Sequence, residues 1–182
     1  MSSFKQHMPL AKYSLRVCLV FLSWVPVAWV VSERVASVGK IEGMSMKPTF
    51  NPPESPHTRN HVLLWKWGVT NIHNLQVDDV VFLRSPIDPE KVYTKRIKAK
   101  QGDLVVPRYP ETRSKVLVPV NHVWVEGDNI HSIDSNTYGP ISTGLIIGKA
   151  KYLIWPLDRF GPIPHGGREC REALLRNSYK EN

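Results

Sequence analysis

The sequence predicts a mainly β protein, an all-β body behind one N-terminal transmembrane helix, and three observations lead there. Fifteen uncharged residues, VCLVFLSWVPVAWVV from Val17 to Val31, follow Lys5, Lys12 and Arg16 with no acid among them. After Gly43 the chain shows short β-branched or aromatic runs, each broken by turn residues. No 3.6-period amphipathic stretch of useful length occurs in the body before Arg168 to Lys180.

As a helix, Val17 to Val31 rises roughly 22 Å, short of a hydrocarbon core of about 30 Å. Counting from Tyr13, with Arg16 reaching back to the headgroups, brings the span to roughly 28 Å. Trp24 and Trp29 suit a membrane with interfacial ends. Residues 1–12 are thus a basic flank and 13–31 a transmembrane anchor in contact with the lipid bilayer. A cleavable signal has the same order of segments, but the SERVASVGK that follows offers only poor small-x-small sites. The basic flank stays on the non-translocated side and the body crosses.

The remaining length suits one packed domain over 39–165 and a mixed-charge tail over 166–182. The net charge of +8 divides into +3 ahead of the apolar run that starts at Val17 and 21 basic against 16 acidic residues scattered beyond it. Without a dense basic stripe, nucleic acid is not the indicated partner. Cys18 and Cys170 can build neither a disulfide framework nor a four-ligand zinc site.

The expected strands lie in HVLLWKWGV, DDVVFLRS, EKVYTKRIKA, DLVVPRY, KVLVPV and HVWVEGD, with loops at NPPESPHTRN, SPIDPE and the Gly-Asp steps. Trp65 and Trp67 are two apart and would share one face of a strand. A core or cross-strand aromatic pair is favoured there over a patch resting on the membrane.

Ser45 lies in GMSMKPT, between two methionines in a turn bounded by Gly43 and Pro48. A serine needs a base to become a nucleophile. No GxSxG elbow accompanies it, and the seven histidines lie ahead of the anchor, in loops or at run edges. The better base is Lys95 in VYTKRIK. Strand alternation puts Tyr93, Lys95, Ile97 and Ala99 on one face and Thr94, Arg96 and Lys98 on the other. Lys95 is therefore the one basic residue of this strand with apolar neighbours on its own face. Burial disfavours an ammonium and lowers a lysine pKa from about 10.4, leaving an amine that can take a proton from serine. The loop EGDNIHSIDSNTYGP, 126–140, brings hydroxyls that can orient that amine and acids that can pair with Arg96. Its spacing is not that of an EF-hand.

Together these segments resemble the type I signal peptidases, membrane-anchored Ser/Lys endopeptidases on an all-β scaffold. GMSMKPTF resembles the serine box, DDVVFLRS the strand box, YTKRIKAKQGD the lysine box and GDNIHSIDS the last box, in the family's order over roughly residues 39–154. The resemblance implies Ser45 as nucleophile, with its own backbone N–H facing the oxyanion, and Lys95 as general base. Ser132 would orient Lys95, while Arg96, Asp128 and Asp134 support the site; no metal or cofactor is implied. The small size, the short spacer before the last box, DSNTYGP and the closing LIWPLDRF resemble the family's mitochondrial inner-membrane branch. That branch implies single-pass anchorage, a catalytic domain in the intermembrane space, a heterodimer with a second catalytic subunit, and precursors bearing sorting signals as substrates.

Two positions depart from the bacterial pattern. Gly43 stands where many bacterial members have an oxyanion-donating serine, so the Ser45 N–H or another donor must contribute more. Asn136 stands where they have arginine after Asp134-Ser135, so the usual acid–arginine support has no arginine at that place. Within the family, the bacterial-type branch is the alternative; outside it, the competing readings are an anchored, non-enzymatic basic β module that binds a protein partner and a soluble, self-cleaving Ser/Lys regulator, and the anchor argues against the last.

Overall fold

A computed structural model of the chain describes residues 10–52, 59–108 and 115–164. The amphipathic stretch expected over 168–180, the tail and most of the basic flank lie outside the described residues.

Helix α1 runs from Leu10 to Arg34 with Pro26 inside it. Its apolar side chains, Phe21, Leu22, Trp24, Trp29 and Val30 among them, are exposed, and none of the segment 16–34 is buried against the body. A helix that serves a soluble core hides one stripe; this one presents apolar surface all round, as a hydrocarbon solvent requires. Its 25 residues rise about 37 Å, enough for a core of about 30 Å.

Only Val35 separates α1 from β1 (Ala36–Ile41). The runs marked in the sequence become β2 (Asn60–Trp65), β3 (Val80–Arg84), β4 (Val92–Lys100), β5 (Leu104–Val105), β6 (Val116–Leu117) and β7 (His122–Glu126). One helical turn, α2 (Ser135–Tyr138), precedes β8 (Ile141–Ser142), β9 (Ile146–Trp155) and β10 (Gly161–Pro162). The protein is mainly β behind one apolar helix. Among the described residues the main sheet is antiparallel in the order β1-β2-β9-β3-β4-β7-β8, with β10 on β9, and β5 and β6 form a separate hairpin.

Strand β9 is not among the expected ones, yet it is the longest strand among the described residues and lies centrally, between β2 and β3. Gly148, Lys149 and Lys151 interrupt its apolar run, and register shifts against both neighbours break its alternation. Lys149 is buried and paired with Asp79 at 2.5 Å, so a residue that reads as solvent-facing belongs to the interior.

The sheet has a core on each face. Val81 and Leu83 of β3 join Ile97, Val123 and Val125, whereas Val80 and Phe82 join Ile41, Met46, Phe50, Val62 and Leu153. Met46 and Phe50 flank the Ser45 turn and fix it to the sheet, each burial worth about 1.5–3 kcal/mol. On β4 the expected alternation holds as far as Ile97. A register shift against β7 then turns Ala99 into a third cluster with Val105, Val118 and Trp124, so Ala99 does not share the face of Lys95.

The two tryptophans also depart from the expected core pair. β2 ends at Trp65, which is 40% exposed, and Trp67 beyond it is 65% exposed. Both lie where α1 joins the sheet: the Lys66 N–H donates to Val35 O at 2.8 Å and its ammonium to Ser32 O at 3.0 Å. A cavity of about 420 Å³ at this junction is lined by Arg34, Lys66, Trp67 and Ile147, and no predicted site residue borders it.

Candidate active site

Three segments converge. Gly43, with φ of 83°, turns the chain out of β1 into the turn that carries half-buried Ser45. Asn129 attaches that turn to the loop after β7: its N–H donates to Ser45 O at 3.0 Å and its Nδ2 to Met44 O at 3.0 Å. Among the described residues no acceptor takes the Ser45 N–H. Gly127 lies between the two segments, and a Cβ there would collide with Ser132 Oγ, Ser132 Cβ and Ser45 O. Glycine is needed here for space and not for its dihedral freedom. Gly127→Ala is expected to push Ser132 and the Ser45 turn apart and lower kcat/KM on the order of 10²-fold with little change in precursor binding, as steady-state cleavage kinetics would show.

Lys95 comes from β4, beside Val81 of β3. It is 3% exposed, and its ammonium hydrogen-bonds to Ser132 Oγ and lies 5.5 Å from the centroid of the Tyr93 ring. Burial pulls its pKa down to about 8; the charge of Arg108 acts in the same direction and that of Asp134 opposes it. Lys98, on the opposite face, is also lowered by burial first and by Arg96 second, but it pairs with Asp78 at 3.7 Å.

Arg96 and Asp128 form a buried bidentate pair, Nε to Oδ1 at 2.9 Å and Nη2 to Oδ2 at 2.8 Å. Arg96 also donates to Asp78 O at 3.0 Å and to Pro164 O at 3.2 Å. Asp134 has different partners: it caps α2 through the Asn136 N–H at 3.1 Å and accepts the Gly127 N–H at 3.1 Å.

Sequence reasoning missed Gly127, Asn129 and a buried polar cluster around Glu126. Glu126 accepts from Trp124 Nε1 at 2.8 Å, Arg108 Nη2 at 2.9 Å and Asn136 Nδ2 at 3.3 Å. The GD and DS pairs mark the loop, but nothing in DLVVPRY marks Arg108 as reaching it.

Residues 14–109 match the family model described as signal peptidase, peptidase S26. The chain belongs to the S26 signal peptidase family. It is 45% identical over 170 residues to mitochondrial inner membrane protease subunit 2 of Saccharomyces cerevisiae, covering 91% of this chain and 96% of that one. The subunit 2 of Schizosaccharomyces pombe is 49% identical over 153 residues, 84% of this chain and 83% of its own length. The human subunit 2 is 41% identical over 150 residues, 82% and 84%. This S26 signal peptidase is accordingly a serine-type protease with an apolar N-terminal helix. The family match ends within the segment after β5, and the subunit 2 relatives extend the similarity across most of the chain.

Proposed function

We propose that this S26 peptidase is a subunit 2 type chain of a mitochondrial inner membrane protease, paired with a second catalytic subunit. It removes sorting peptides from precursors delivered to the intermembrane space, with Ser45 as nucleophile and Lys95 as general base. The observation that carries the reading is a lysine amine buried between Tyr93 and Ile97, hydrogen-bonded to Ser132 in the loop that also holds the Ser45 turn.

The precursor binds as an extended strand. Ser45 Oγ attacks the scissile carbonyl carbon while neutral Lys95 takes the hydroxyl proton, and the Ser45 N–H donates to the oxyanion. The tetrahedral intermediate collapses with Lys95 handing that proton to the leaving amine nitrogen, leaving an ester on Ser45. Water attacks the ester as Lys95 takes one of its protons and returns it to Ser45 Oγ, which frees the carboxylic acid product. Ser132 holds the Lys95 nitrogen toward Ser45 throughout, and Arg96, Asp128 and Asp134 fix the walls around it.

The three basic residues at the start of the chain stay in the matrix and the body lies in the intermembrane space. Trp65 and Trp67 then sit at headgroup level, where amphipathic rings are favoured, and hold the sheet against the membrane. The test is in mitochondria: a chain carrying Ser45→Ala at normal abundance is expected to leave a subset of intermembrane-space precursors uncleaved. Normal maturation of all of them would overturn the reading.

A further inference from the structure

Asp134 and Glu126 are each 1% exposed, and they bracket the loop that places Ser132 beside Lys95. Arg108 spans that loop from outside its sequence neighbourhood. Its Nη2 lies 2.9 Å from Glu126 Oε2, immediately before Gly127, and 3.6 Å from Asp134 Oδ2 at the far end. Its Nη1 donates to Ile130 O at 3.4 Å in the middle. Asn136 completes the ring: its Oδ1 accepts the Arg108 N–H at 2.8 Å, while its Nδ2 donates to Asp134 Oδ1 at 2.7 Å and to Glu126 Oε1 at 3.3 Å. One guanidinium and one amide thus reach both carboxylates.

We propose that Arg108 is a positioning residue for peptide hydrolysis, clasping the loop over 127–134 so that Ser132 meets Lys95, with Glu126 as its buried counter-charge. This rests on the Ser45/Lys95 reading and adds to it. Two negative charges buried this close would repel each other and hold the loop open; a shared cation converts their repulsion into a clamp, and the guanidinium's second nitrogen holds Ile130 O at the same time, a fork that an ammonium lacks. The clamp also acts on the base electrostatically. The charged groups acting on Lys95 are Asp134, which favours its protonation, and Arg108, which opposes it, while burial beside Tyr93, Ile97 and Val81 disfavours the ammonium most. Arg108 therefore offsets part of the pull of Asp134 toward the charged amine.

The experiment compares Arg108→Gln, Arg108→Lys and the double change Arg108→Gln with Asn136→Arg, each in the full chain assembled with its partner subunit in inactive form. The readouts are thermal unfolding and the pH profile of kcat/KM on one precursor. Arg108→Gln is expected to lose on the order of 10²-fold in kcat/KM at pH 7 and to move the acid limb to higher pH, with part of the loss recovered above the shifted limb. Arg108→Lys keeps the charge, so its limb stays in place while kcat falls. Asn136→Arg, whose side chain starts beside the same two carboxylates, restores the limb and part of kcat in the double variant. A folded Arg108→Gln chain with wild-type kcat and limb would overturn the proposal, as would an Arg108→Lys limb that moves as far as that of Arg108→Gln. If Arg108→Gln does not fold, the lysine and double variants still decide. Cleavage by a Lys95→Ala chain would instead overturn the dyad itself, so the two failures are distinguishable.

Discussion

Lys95→Met is expected to lower kcat/KM by on the order of 10²–10⁴-fold or more while leaving the chain at least as resistant to heat at pH 7. The two halves of that result have one cause. An amine buried to 3% exposure must lose its charge to work, and the native state bears the cost of holding that charge at neutral pH. Methionine has similar volume and nothing to desolvate. An ordinary structural lysine would give the opposite pattern, a loss of stability with activity retained in the folded fraction.

The pH dependence follows with its sign fixed. With the Lys95 pKa drawn down to about 8, about one molecule in ten has the neutral base at pH 7. kcat/KM should therefore rise about tenfold per pH unit up to about pH 8 and then level off. A profile flat down to pH 6 would contradict a lysine base. Stability has its own window: the folded amine releases its proton near 8 and the unfolded one near 10.5, so the unfolded chain binds more protons between them. The native state gains stability as pH rises through that interval, as chemical denaturation at pH 8 and pH 10 would show.

Asp128→Ala should have the largest effect on stability. The Arg96 side chain is 1% exposed and that of Asp128 is fully buried, so removing the acid strands a guanidinium without its bidentate partner. Breaking such a pair from one side costs about 3–5 kcal/mol, which for a body of this size lowers the unfolding midpoint by about 10–20 °C. Asp128→Asn keeps one acceptor oxygen and should lose roughly half as much. Arg96 also holds Asp78 O and Pro164 O, so its loss would loosen the strand box and the end of the described body together. Differential scanning fluorimetry on the detergent-solubilised chain measures both variants; an Asp128→Ala midpoint within 2 °C of wild type would contradict the account.

Much of this molecule was legible in its sequence because the signals were local. The apolar helix follows from an uninterrupted charge-free run, and the strands β2 to β7 and the face of β4 that carries Tyr93, Lys95 and Ile97 follow from short β-branched runs and a period of 2 within a few residues. What escaped depends on long-range contact. β9 looks too polar for a central strand because Lys149 is paired to Asp79 across the sheet, a partner seventy residues earlier. Ala99 changes face because of one register shift against β7. Trp65 and Trp67 read as core because aromatic strands usually are, whereas here both are exposed where the end of α1 joins the sheet. Gly127 and Asn129 look like ordinary loop residues until the Ser45 turn is brought against them. Asn136 marked the place where an arginine was missing. The guanidinium facing Asp134 comes instead from Arg108, beyond β5, at a separation no local pattern encodes.

The central claim is that Ser45 performs the attack with the help of Lys95. Its most direct test is cleavage of a purified precursor by the chain carrying Ser45→Ala, assembled with its partner subunit in inactive form, beside wild type and Lys95→Ala. The account predicts intact precursor with both variants despite normal assembly and unfolding midpoints. Wild-type cleavage by either variant would contradict it.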